Sequence, residues 1–188
     1  MTIKEQDKWM LGTQGVSFYA EMLQKALTDD YAKLRKTVKA EELPWEDSPQ
    51  GLIKHLCNDK MDVRMKSIDS YMQVIEPGGR SGKHRHMSEE ILFILEGEGY
   101  DLHWDVEADI NDIYVWKIPE EPKKFQWERG DLVYIPVNTI HQHFNASRDK
   151  QVRFISATSR VVRQLGFEDL EQLEEATAYR KGLLNSLK

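Results

Sequence analysis

The chain has 188 residues, 40% of them hydrophobic and 31% charged, with a formal net charge of −6. That length supports one well-buried core and is short for two full domains, and the acidic balance argues against a nucleic-acid partner, which needs a basic stripe. No apolar run is long enough for a membrane span, residues 1–10 lack the apolar core of a secretory signal, and the single cysteine, Cys57, forbids an intrachain disulfide. The expectation is a cytoplasmic protein with no membrane partner.

In chain order, Phe18, Met22, Leu23, Ala26, Leu27, Tyr31, Leu34 and Val38 recur at steps of three and four, which predicts a helix over 16–39. Pro44 and Pro49 break that pattern. Residues 50–66 are ambiguous, with a short helix around 51–57 as one reading. From residue 67 the period changes to two. Strands are predicted at 67–75, 90–95, 100–105, 113–118, 124–127, 132–135, 141–145 and 152–157, punctuated by glycine and proline turns. The acidic stretch 107–112 reads as a solvated loop. Residues 167–187 return to helical spacing through Leu170, Leu173, Ala176, Tyr179 and Leu183. The expected organisation is all-β: a jelly-roll barrel over 65–158, a helical N-terminal extension over 1–64 and a C-terminal helix over 159–188.

The chemistry-bearing residues fall in two short stretches. His84 and His86 share a strand face, because side chains alternate along a strand. Glu90 opens the next strand, and His141 lies on a late strand behind Pro136. A barrel closes distant strands on one another, so a late histidine can complete a site begun by an early hairpin. Imidazoles with one carboxylate suit a mononuclear non-haem iron site, and manganese, nickel, cobalt or zinc can occupy similar sites. His143 shares the face of His141 and reads either as an acid–base group or as a hydrogen-bonded interior histidine. Asn145 suits a strand-end or ligand-orienting role. His103 lies inside with Asp101 and Asp105 in one register, or outside in the other. His55 falls outside both stretches and reads as structural or exposed. The aromatic residues of the middle region read mostly as core.

Gly78, His84, His86, Glu90 and Gly97 match the first cupin motif, and Gly130, Pro136, Asn138, His141 and Asn145 match the second. Asn138 stands where a glycine is usual, a mild departure because asparagine tolerates positive φ. One motif pair makes the chain resemble a single-domain cupin. The resemblance implies the jelly-roll barrel, with His84, His86, Glu90 and His141 as ligands of one divalent metal. In wording, the two stretches are similar to gentisate 1,2-dioxygenase-type cupins, which commonly lack the motif glutamate. With Glu90 present, the ligand set is similar instead to acireductone dioxygenase, quercetin dioxygenase, germins and oxalate decarboxylase. The implied activity is a non-haem Fe(II) dioxygenase acting on a small enol, diketone or hydroxylated aromatic acid, with His143 as the acid–base residue. The alternatives are a non-redox lyase, decarboxylase or isomerase, and a cupin that binds a small molecule without turnover. A homodimer is the expected assembly.

Overall fold

Short strands begin at residue 46 and continue through most of the chain. The computed structural model describes residues 19–22, 33–110, 114–167 and 170–179. The chain divides into two units, residues 1–35 and 36–188. In the first, residues 19–22 are helical; of the helix expected over 16–39, residues 16–18 and 23–32 lie outside the described residues, and residues 33–39 are turn, bend and extended backbone with no helix. In the second unit the strands are β1 (Glu46–Ser48), β2 (Gly51–Cys57), β3 (Ile68–Ile75), β4 (Lys83–Arg85), β5 (Glu90–Glu96), β6 (Glu98–Trp104), β7 (Glu107–Ile110), β8 (Tyr114–Lys117), β9 (Lys123–Glu128), β10 (Leu132–Ile135), β11 (Ile140–Asn145), β12 (Val152–Ser159) and β13 (Glu171–Glu174).

They form a six-stranded sheet ordered β1-β2-β3-β12-β5-β10, a five-stranded sheet ordered β13-β4-β11-β6-β9, and the hairpin β7-β8. The antiparallel order, with sequence-distant neighbours, is that of a jelly-roll barrel. Alternation along β5 buries Glu90, Leu92 and Ile94, while Ile91 and Phe93 face out. Along β12 it buries Val152, Phe154 and Ser156. The apolar core of Ile75, Leu92, Ile94, Trp127, Val133, Ile135, Val152 and Phe154 therefore grades into a polar interior reached through Glu90 and Ser156.

Three further segments depart from the sequence expectation. Residues 51–57 are strand β2, because Leu52 to Cys57 pair with β3 and Ile53 is buried. Residues 171–174 are strand β13, laid antiparallel against β4 and secured by the Arg85–Glu171 ion pair at 2.6 Å. Residues 107–110 are strand β7, which satisfies its backbone by pairing with β8. The sheets thus extend past 65–158 on both sides. No described helix is long and apolar enough to cross a membrane.

Two motif residues have structural jobs. Asn145, at the end of β11, donates through Nδ2 to the carbonyls of Ile75, Glu76 and Lys150 at 3.1, 3.0 and 2.8 Å, and its Oδ1 accepts from Ser147 N at 2.9 Å. Asn138 takes φ 59°, and its N–H donates to His86 O at 2.9 Å, tying the second motif to the first. Gly99, across from Asn145, is required by packing: a Cβ there would lie 2.2 Å from Phe144 O and 2.3 Å from the Trp127 ring. Gly99→Ala is expected to cost about 1–3 kcal/mol, the range for overpacking a full core. Urea unfolding measures it, and a midpoint equal to wild type would refute the close packing.

Candidate metal centre

The four motif side chains converge. His84 is the middle residue of β4, and its neighbours Lys83 and Arg85 turn to the other face. In the next strand pairing His141 lies directly opposite His84, with ring centroids 4.1 Å apart. His86 follows β4, and Glu90 opens β5 on its buried face. One donor atom from each of His84, His86, Glu90 and His141 lies within 4.8 Å of the others.

The hydrogen bonds set the imidazole tautomers. Nδ1 donates to a backbone carbonyl in each ring: His84 to Gly82 O at 3.5 Å, His86 to Ser88 O at 2.8 Å and His141 to Thr139 O at 2.9 Å. A neutral ring with its proton on Nδ1 turns a lone pair outward from Nε2, the form that ligates metal. Glu90 Oε2 lies 2.9 Å from His86 Nε2 and 3.2 Å from His141 Nε2. The buried His141 Nε2 has no hydrogen-bond partner. Lone pairs facing a carboxylate repel unless a cation sits between them, so the donor set fits a divalent metal.

Protonation agrees. Burial pushes His84 well below the ordinary imidazole value, and neighbouring His141 adds to this. Burial lowers His141 as well, against the opposing pull of Glu90. For Glu90, burial would raise the carboxyl, but the adjacent His141 and His86 rings outweigh it and hold it well below the usual range. The other oxygen, Oε1, accepts from Tyr71 Oη at 3.3 Å and from Ser156 Oγ. Burial, then the charge of Glu90, keeps the Tyr71 phenol well above its ordinary value.

His84, His86 and Glu90 face a cavity of about 240 Å³. Its apolar wall includes Ile53, Met87, Val162, Phe167 and Leu170. The two arginines at its edge, Arg160 and Arg163, are both engaged by Asp69, at 2.8 and 2.7 Å.

His143 sits elsewhere, fully buried and off the cavity lining. Its Nδ1 donates to Asp101 Oδ1 at 2.9 Å, and its Nε2 has no hydrogen-bond partner. His103 takes the inward register with Asp101, its Nε2 3.4 Å from Oδ2, leaving Tyr100, Leu102 and Trp104 on the other face. His55 is a cavity-edge residue that pairs with Glu46 at 3.5 Å. Sequence reasoning did not single out Tyr71 or Ser156 as parts of this site. Their only signal was an inward position on strands whose neighbours across the barrel were unknown.

A jelly-roll barrel with three histidines and a glutamate gathered inside it defines a cupin. The auxin-binding protein family model matches residues 34–179, and the chain belongs to that family. Auxin-binding protein T92 of Nicotiana tabacum is 31% identical over 120 residues, covering 63% of this chain and 60% of that protein. The acireductone dioxygenase of Heterostelium pallidum is 37% identical over 93 residues, covering 50% of this chain and 51% of that protein. The chain thus spans about 60% of the length of the tobacco relative. Among solved structures, oxalate decarboxylase of Lactobacillus farciminis in complex with formate superposes with a TM-score of 0.50 at 17% identity, over 72% of this chain and 33% of that one. That likeness concerns the fold alone.

Proposed function

We propose that His84, His86, Glu90 and His141 hold one divalent metal ion, and that a small, mainly apolar molecule with an oxygen donor binds to it from the adjoining cavity. The observation that carries this reading is the convergence of four donor atoms within 4.8 Å, with His84, His86 and Glu90 lining that cavity. A bound divalent ion would supply Lewis acidity and two open positions beside its four protein ligands. The chain's own part is to present Nε2 lone pairs, to keep Glu90 ionised and to offer an apolar wall through Ile53 and Val162. The names of the auxin-binding relatives support a small organic ligand.

Elemental analysis of protein purified without added metal or chelator should find about one ion per chain. A folded sample containing none overturns the assignment. Chelation should lower thermal stability by an amount that grows with the logarithm of metal concentration over Kd. At metal a hundredfold above Kd the difference is about 2.7 kcal/mol, read by calorimetry with and without chelator. With the metal in place, titration calorimetry with an auxin tests the ligand class, and heat that persists in chelated protein would sink the metal-mediated reading.

The acireductone dioxygenase match specifically favours a second reading, an Fe(II) dioxygenase of a small enol, diketone or hydroxylated aromatic acid. In that reading the acid–base role expected of His143, which is bound to Asp101 and buried off the cavity lining, requires a ligand that reaches past the metal ligands into the barrel. Oxygen uptake matched to substrate loss supports it. Turnover without oxygen points instead to a lyase, decarboxylase or isomerase.

A further inference from the structure

We infer that Ser156 and Tyr71 act as a clamp on one oxygen of Glu90, limiting the carboxylate to a single donor atom and so keeping two positions on the metal open. The inference rests on the metal reading above and goes beyond it by assigning positioning roles to two residues outside both motifs. Glu90 has its two oxygens in different surroundings. Oε2 faces the imidazoles, 2.9 Å from His86 Nε2 and 3.2 Å from His141 Nε2. Oε1 faces away from them and accepts from two hydroxyls, Ser156 Oγ and Tyr71 Oη.

Those hydroxyls come from a single cross-strand pair. Ser156 on β12 and Tyr71 on β3 are register partners in the six-stranded sheet. Side chains directly opposite in an antiparallel pair stand side by side on one face, so two hydroxyls reach one oxygen from a rigid base. β12 also pairs with β5, which carries Glu90. All three groups thus sit on adjacent strands, and Ser156 is fully buried. Hydrogen bonds to an ionised acceptor are about twice as strong as neutral ones. For Glu90 to swing both oxygens onto a metal, both bonds would have to break.

The consequence concerns ligand capacity. Three imidazole nitrogens and one carboxylate oxygen would leave about two positions free on an ion that takes six ligands, enough for a bidentate small molecule or for one ligand and one water. A chelating Glu90 would take one of them. Tyr71 also lines the cavity, so the clamp borders the space that a ligand entering those positions must cross.

The test uses Ser156→Ala and Tyr71→Phe, alone and together, each loaded with Mn(II) and compared with wild type by metal stoichiometry and by water-proton relaxation of the bound ion. Wild type should show rapidly exchanging water on the ion. The double variant should keep about one ion per chain but lose roughly half of the relaxation enhancement, because the freed oxygen takes one of about two open positions. Each single variant should lose less. Full Mn(II) occupancy with unchanged relaxation in the double variant overturns the clamp and leaves the metal site standing. Loss of Mn(II) by the double variant, with wild type loaded, also overturns it, since the hydroxyls then serve binding and not the number of donor atoms. Wild type that takes up no Mn(II) overturns the centre and the clamp together. If Ser156→Ala does not fold, Tyr71→Phe carries the same two opposed outcomes alone.

Discussion

His141→Ala is expected to weaken metal binding by more than about 100-fold, the upper end of what loss of a ligand's hydrogen-bond partner alone costs. The imidazole is completely buried on β11 and lies directly across from His84. Its Nδ1–H is held by Thr139 O at 2.9 Å, which aims Nε2 at Glu90. Truncation removes a fixed nitrogen from a set of four and leaves Glu90 with His86 as its remaining imidazole neighbour at hydrogen-bond distance. A water in the vacated space would be a mobile donor where the native one is held. Competition against a chelating dye measures the loss, and His143→Ala is the control: its ring lies on the same strand face but is bound to Asp101. The assignment fails if His141→Ala holds the ion within about tenfold of wild type, inside the range of an indirect effect, or if His143→Ala loses the ion as completely.

The four converging residues were readable because their geometry is local. His84 and His86 lie two residues apart, Glu90 follows across one turn, and Pro136 and Asn138 shape the approach to His141. Most strands from 67 to 158 were readable for a similar reason, since alternation and glycine turns are written into contiguous residues; β7 was not, because its acidic residues read as a solvated loop. Strand β13 was not. Its residues, Glu-Gln-Leu-Glu, are good helix formers, and only the open edge of β4, with Arg85 placed opposite Glu171, makes them extended. The inward turn of His103 was equally hidden, because period-two alternation fits both registers. What settles it is three-dimensional. Gly99 must face inward to admit the Trp127 ring, and Asp101 and His103 follow on the same face. Ser156 reaches Glu90 across 66 residues of sequence, a contact created by strand order and by nothing local to either residue.

Asp101→Ala is expected to destabilise the protein by about 3–5 kcal/mol at neutral pH, the cost of stripping one partner from a buried ionic cluster. Asp101 is fully buried on β6. Its Oδ1 accepts from Trp127 Nε1 at 2.8 Å and from His143 Nδ1 at 2.9 Å, while Oδ2 lies 3.4 Å from His103 Nε2. Burial alone would raise its carboxyl, but the charge of His143 and the hydrogen bonds from His103, His143 and Trp127 outweigh it and hold the group well below the usual carboxylate range. For His143, burial would lower the imidazole, and the Asp101 carboxylate outweighs that and raises it. Alanine leaves three buried donors facing a void. By contrast, the exposed Arg85–Glu171 pair should contribute no more than about 1 kcal/mol. The sign with pH follows from the depressed carboxyl: its stabilisation is fully present above the unfolded value of about 3.9 and is lost as pH falls toward the folded value. The gap between wild type and Asp101→Ala should therefore narrow below about pH 4, and also narrow as pH rises from about 6.5 through the raised value of His143, which Asp101 sustains. Asp101→Asn, which keeps an acceptor for Trp127 but no charge, should fall between them. Urea unfolding across that pH range decides the matter: a gap that does not narrow in acid would show that Asp101 fills space in the barrel without acting there as an anion.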